Sequence, residues 1–187
     1  DGVLSDFSSA WSGFGKQLGL YDGPIVTSEE ALSWDWDIAQ LGLTRQQSND
    51  IWEAVKNTYN WWMTLRPIVS PVEIAMLNEA IQQHDIYFIT SRVRTLGLSA
   101  ETQTRHWLES IDLHVSKRAS VIATRGATKG RVAMGLDVTL ALDDNVNNLA
   151  AYAAQGIQAV ARRWTYNEPW QPSVANVAEF CENWLGL

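Results

Sequence analysis

Three stretches of this chain end a short apolar run on residues able to hold ions. "IYFITSR", residues 86–92, places Thr90, Ser91 and Arg92 directly after four apolar residues. A plain turn would be served by Gly, Asn or Pro, whereas two hydroxyl donors beside a guanidinium suit a bound anion, phosphate above all. "SVIATRGATKG", residues 120–130, runs on to Arg125 and Lys129, and "VTLALDDN", residues 138–145, ends on Asp143 and Asp144. Paired carboxylates suit a hard cation such as Mg²⁺, while hydroxyls and a lysine suit phosphoryl oxygens. The opening "DGVLSDF" adds Asp1. Taken singly, a DD after a strand is often a helix cap and TSR is often a turn. Brought to one rim, the four pieces make a metal-assisted phosphate site.

Such a rim needs strands to carry it. From about residue 66 onward the pattern alternates helix and strand. Residues 72–83 have apolar positions 72, 74, 75, 77 and 81 on one helical face, followed by a strand over 86–90. A helix over 100–111 turns Trp107, Leu108 and Ile111 inward. Strands follow at 120–124, 138–142 and 157–161, with a helix over 146–155 between the last two. A closing helix spans 174–185, with Val174, Val177, Cys181, Trp184 and Leu185 on one side. Apolar strands spaced by helices predict an α/β fold: a Rossmann-like parallel sheet with helices on both faces and ligands at the carboxyl ends of its strands. Residues 28–64 break the rhythm. Two helices with no strand between them are expected there, the first opened by a Ser28 cap with Glu29 and Glu30 in its first turn. This predicts a core of residues 1–22 and 66–187 with a small helical cap, residues 23–65, inserted after the first motif. The alternative is two extra helices packed on the sheet.

The motifs D-G-V-L, the apolar run ending in Thr90, Lys129, and the apolar run ending in Asp143-Asp144 resemble the four motifs of the haloacid dehalogenase-like (HAD) phosphatases. The resemblance covers nearly the whole chain. It is closest to the 5'(3')-deoxyribonucleotidases, through "DGVLSDF", "IWEAVKN", "FITS", "TRGATK", "LALDDN" and "YNEPW". It implies a Mg²⁺-dependent phosphomonoesterase acting on nucleoside 5'-monophosphates, deoxy forms preferred, through an aspartyl-phosphate intermediate. The attacking aspartate is expected two places before Asp1, just upstream. Its strand is expected there too, because a sheet without its central strand exposes two buried edges. Asp1 would protonate the leaving oxygen and then serve as base for the hydrolytic water, a neighbouring carboxylate favouring its protonated form. Thr90 and Ser91 would hydrogen-bond the phosphoryl group and Lys129 would neutralise it, with Arg125 a further phosphate contact. Asp1, Asp143 and Asp144 would hold Mg²⁺. "TRGATK" places two more residues between Arg and Lys than the family does. Arg92 stands where the family commonly has Pro, and pairing with an acid at the rim is the plainer of its two readings.

The same resemblance puts an aromatic box over the nucleobase, matched by Phe7, Trp36 and Trp52. Core packing is the competing reading of each. Asp35 stands where the family often has an aromatic, and a carboxylate there could accept a hydrogen bond from an exocyclic amine. The alternatives are a HAD phosphatase for a non-nucleotide ester, or a non-catalytic nucleotide-binding protein of this kind.

The bulk numbers set the outer limits. A chain of 187 residues fits one domain with a small insert. Net charge −7 and pI near 4.9 work against long nucleic acid, which is bound by neutralising many phosphates, but not against one small anion. No apolar run approaches the roughly 18 residues of a membrane span. A single Cys181 rules out an internal disulfide framework, reads as a buried structural thiol, and suits a reducing cytoplasm. His84, His106 and His114 have no metal-ligand spacing. A homodimer accords with the family resemblance, though no patch in the sequence demonstrates one.

Overall fold

The computed structural model describes residues 1–115, 118–124 and 128–187. Its architecture is mixed α/β, with small parallel sheets between packed helices. A short strand β1 (Ser5–Asp6) leads straight into helix α1 (Phe7–Gln17), where Asp6 accepts from the Ser9 amide as N-cap. Strand β1 pairs antiparallel with β2 (Arg66–Pro67). Neither α1 nor this pairing was expected from the pattern, although an Asp opening a run with Trp11 and Phe14 inward is a usable helix signal.

Between these strands lie α2 (Trp36–Ala39) and α3 (Arg45–Lys56). A reciprocal capping box of Thr44 and Gln47 starts α3. The helix expected from Ser28 is reduced to the four residues of α2. Ser28 does not cap it: both its amide and its hydroxyl donate to Asp6 at 3.0 Å, which holds the chain in turns. Val26, Trp36, Leu43, Ile51 and Val55 share one apolar cluster with Trp107, Leu108 and Val121.

Helix α4 (Pro71–Gln83) opens with Pro at its first turn and a capping box of Ser70 and Glu73. Its inward face carries Glu73, Leu77, Ala80 and Ile81, while Val72 and Ala75 face solvent, contrary to the expected apolar stripe. The cause is Glu73. Its buried carboxylate accepts from the Val177 amide (2.9 Å) and lies 3.5 Å from the Arg162 guanidinium, so the helix is rotated to present it. Burial opposes ionisation of Glu73, but hydrogen bonds from Ser70 and Val177 and the charge of Arg162 outweigh it and hold the carboxyl below its ordinary range.

Strand β3 (Ile86–Thr90) pairs in parallel with β4 (Ala119–Ala123), and helix α5 (Ala100–Ser110) connects them. Helix α6 (Lys129–Gly135) leads to β5 (Leu140–Asp143), and helix α7 (Val146–Ala153) to β6 (Gln158–Arg162). Gly130 lets α6 and α7 touch, since a Cβ there would run into the carbonyl of Ala151. Strand β7 (Ser173–Val174) adds in parallel to β6. The expected closing helix is thereby split. Val174 joins the sheet, and only Val177–Phe180 forms α8, running into a π-helical turn over Cys181–Leu185. Cys181 is buried, which pushes its thiol up to about 11 and leaves it unreactive at neutral pH.

The strands form separate small sheets, β3–β4 and β5–β6–β7, because β3 and β5 do not pair. Among the described residues no helix is long and apolar enough to cross a membrane.

Replacing Glu73 by Gln should lower unfolding stability by about 1–3 kcal/mol, since it leaves Arg162 buried without its charge partner. Urea denaturation measures this, and a change within error would show that the Glu73 cluster does not hold α4 to the sheet.

Candidate functional site

The carboxyl ends of β3 and β5 close around a small hollow of about 120 Å³ lined by Asp1, Thr90, Arg92, Lys129, Asp143 and Asp144, among others. Residues spread over the chain thus meet at one point. The sequence places Thr90 at the last position of β3, Asp143 at the last of β5, and Lys129 at the first of α6. Thr90 is buried, its carbonyl accepts from the Thr124 amide (2.8 Å), and no described residue hydrogen-bonds its hydroxyl.

Each acid has a different partner. Asp143 accepts from Lys129 Nζ (2.8 Å), from the Asn145 amide (3.0 Å) and from Asn148 Nδ2 (3.0 Å). Burial opposes its ionisation, but the lysine charge and these bonds win and hold the carboxyl below the ordinary range. Asp144 is equally buried, and among the described residues its carboxylate accepts from the Tyr166 hydroxyl alone, at 2.7 Å, with no cation bonded to it. Burial first, and repulsion from Asp143 second, push it up to about 6. Asp1 accepts from Ser5 Oγ (2.8 Å) and from Arg92 Nε and Nη2, the closest at 2.6 Å. Arg92 itself is buried, lies over Trp62 at 5.0 Å and Trp107 at 5.8 Å, and donates to Thr104 (3.0 Å). It is a fixed partner of an acid at the rim, the plainer of its two readings.

Gly2 brings the chain against Asp144. Its φ is +70°, and a Cβ would collide with the Asp144 carboxylate. Trp164 Nε1 donates to the Gly2 carbonyl (2.7 Å), and Asn167 bridges the carbonyls of Asp144 and Arg162 at 2.7 Å each. The segment 165–170 therefore reaches the site through Tyr166 and Asn167.

Asp1 and Asp144 also border a second, larger cavity of about 310 Å³, where Phe7, Trp36 and Trp52 come together with Trp34, Asp35 and Tyr166. Phe7 stacks on Trp52 at 5.6 Å, and Trp36 meets Trp11 edge-on at 5.4 Å. Trp36 is almost fully buried, so much of its surface serves packing. Trp34, 59 % exposed and 6.0 Å from Tyr166, is the free indole at the mouth. The WDW triplet of residues 34–36 gives no periodic hint of which indole faces outward.

Not every expected residue joins these cavities. Ser91 is exposed, shares a hydrogen bond with Thr124 (3.0 Å), and lines neither cavity. The backbone turns it away because β3 alternates its side chains and Thr90 already takes the inward position. Arg125 lies outside the described residues.

Among the described residues no group of three His, Cys, Asp or Glu is set closely enough to hold a metal ion outright. Asp144 nevertheless fits a hard cation. It is a buried carboxylate with a second carboxylate beside it and no bonded cation, and Mg²⁺ commonly takes only one or two carboxylates and keeps its waters. Asp144, with Asp143 and Asp1 alongside, would hold such an ion.

The pH dependence follows from the sign of the Asp144 shift. Its carboxyl is near 6 when folded and about 3.9 when unfolded, so the unfolded chain binds fewer protons between those values, and stability falls as pH rises through that window by an order of 2–3 kcal/mol. Mg²⁺ should raise the melting temperature clearly at pH 7.5 and hardly at pH 5, and Asp144→Asn should remove both effects. An equal Mg²⁺ response at the two pH values would contradict this account. No known family model matches this chain, and no curated protein matches it.

Proposed function

We propose that this protein is a Mg²⁺-dependent phosphomonoesterase for nucleoside 5'-monophosphates, with deoxyribonucleotides preferred. One observation carries the reading: the hollow holding Thr90, Lys129 and the three acids adjoins the aromatic cavity, and Asp1 and Asp144 belong to both. A phosphate in the first would leave its nucleoside in the second.

In this reading the Thr90 hydroxyl donates to a phosphoryl oxygen, and Lys129 neutralises the phosphate while remaining close to Asp143. Asp144, Asp143 and Asp1 would hold Mg²⁺, whose charge would offset repulsion between an anionic ester and the acids around it. The attacking carboxylate is the aspartate that the resemblance to HAD phosphatases sets two positions before Asp1. Its attack on phosphorus breaks the bond to the 5'-oxygen, which takes a proton from Asp1. Asp1 now accepts from Ser5 and Arg92, the arrangement of an anion, so this role needs the Arg92 contact to open when substrate binds. A Rossmann-like sheet, with residues 23–65 as a cap bearing Trp34, Trp36 and Trp52, and a reducing cytoplasmic setting complete the proposal.

The same Arg92–Asp1 pair favours a second reading, a nucleotide-binding protein without hydrolysis, because a carboxylate locked to a guanidinium is a poor acid. Phosphate release from a panel of nucleoside monophosphates, with and without Mg²⁺, separates the two. Lys129→Ala should lower kcat by about 100-fold or more if the lysine stabilises developing charge. No release from any nucleotide would leave the binding reading.

Base recognition is best probed at Trp34, whose exposure makes its loss harmless to folding. Trp34→Ala should raise KM for dTMP by about 10- to 100-fold, the worth of one stacked base, and leave p-nitrophenyl phosphate turnover unchanged. Equal small effects on both substrates would favour a non-nucleotide ester.

A further inference from the structure

The aromatic cavity beside the phosphate hollow has a polar side that stacking does not use. Stacking holds any base, because every base has an aromatic face, so the choice among bases falls to the polar groups of the wall. Asp35 is the clearest of them. Its backbone carbonyl accepts from the amides of Ile38 (3.1 Å) and Ala39 (2.8 Å), which fixes the residue at the start of α2. An Asp in that position ordinarily turns its carboxylate back onto the first amides of the helix. Here it makes no such bond, and among the described residues nothing else donates to it or pairs with it. Asp37, further along the wall, already accepts from the Ser48 hydroxyl at 2.6 Å.

Two donors in the same wall are left without acceptors. Trp11 is 1 % exposed and its indole N–H has no hydrogen-bond partner among the described residues, and the buried hydroxyl of Ser33 has none either. Both residues line the cavity, and among the described residues no Lys, Arg or His does. The wall thus offers a carboxylate, which only accepts, together with two unused donors, and no cation neutralises the acid. A buried donor without an acceptor is costly, and a ligand that supplies one removes the cost.

These requirements sort the bases. Thymine and uracil present one ring N–H between two carbonyl oxygens, and both oxygens would face the carboxylate. Cytosine and adenine each present one amine beside an unprotonated ring nitrogen, a further acceptor turned toward the acid. Guanine alone sets two donors side by side, the ring N1–H and the 2-amino group, spaced for the two oxygens of one carboxylate, with its 6-oxo acceptor next to them. We propose that this cavity is specific for guanine: the Asp35 carboxylate accepts from N1–H and the 2-amino group together, and Ser33 and Trp11 are the donors for the 6-oxo oxygen. This specificity presupposes the nucleoside 5'-monophosphate site of the proposed function and makes dGMP its preferred ligand.

The test is equilibrium binding of dGMP, dIMP, dAMP, dCMP and dTMP to the 187-residue chain, read by calorimetry in EDTA so that no metal-dependent turnover intervenes. dGMP should bind about tenfold or more tightly than each of the others. dIMP keeps N1–H and the 6-oxo group and lacks only the 2-amino group, so it should lose about 10- to 100-fold, the worth of one hydrogen bond to a charged group. Asp35→Ala, at an exposed position whose side chain has no bond to lose, should bring dGMP and dIMP to equal affinity. Equal binding of dGMP and dIMP to the unaltered chain would overturn the proposal, as would tightest binding of dTMP. A dGMP preference that survives Asp35→Ala would assign the 2-amino group to another residue and overturn it as stated. Binding of all five without preference would sink guanine specificity and leave the nucleoside monophosphate site standing, whereas binding of none would sink both.

Discussion

Three carboxylates and two cations cannot be drawn into one small hollow without each charge finding compensation, and this constraint organises the surrounding structure. Lys129 answers Asp143 and Arg92 answers Asp1. Burial pulls the Arg92 guanidinium down to about 9, and two tryptophans, a threonine and Asp1 offset part of what it loses by leaving water. Asp144 is the remainder. It has a phenol where the other acids have cations, and burial first, with repulsion from Asp143 second, raises its pKa. Among the described residues it is the one of these three acids with no ion-paired lysine or arginine.

That balance depends on backbone placement as much as on charge. Gly2 lies against Asp144 because it lacks a Cβ, and Trp164 and Asn167 bind the carbonyls around it. The loop after β6 is thereby part of the site's floor. The aromatic cavity is built on the same footing: Phe7 begins α1 directly after β1, so the phosphate hollow and the stacking surface are joined by a stretch of chain with almost no slack.

The two sheets set the rim without being one sheet. Strands β3 and β5 bring Thr90 and Asp143 to the same level, yet among the described residues no strand pairs with their facing edges. What keeps them in place is the helical layer. Close packing of α6 on α7 at Gly130 and the Glu73–Arg162–Val177 cluster tie the halves from opposite faces.

The amino-acid pattern by itself determined the alternation of helix and strand after residue 66, the strand over residues 86–90 in full, and the polar residues at each strand end. Those features depend on local periodicity, and a strand's side chains alternate whatever lies across from it. It did not determine the turns after Ser28, the rotation of α4 or the splitting of the last helix. In each case a partner distant in sequence outweighs local propensity: Asp6 for Ser28, Val177 and Arg162 for Glu73, and β6 for Val174. Within the site, the tertiary structure decided which tryptophan is exposed, which acid lacks a cation, and that Arg92 meets Asp1, 91 positions away. Residue type states what a side chain is able to bind. Which of those bonds it makes depends on the water it loses and the neighbours it meets when the chain closes up.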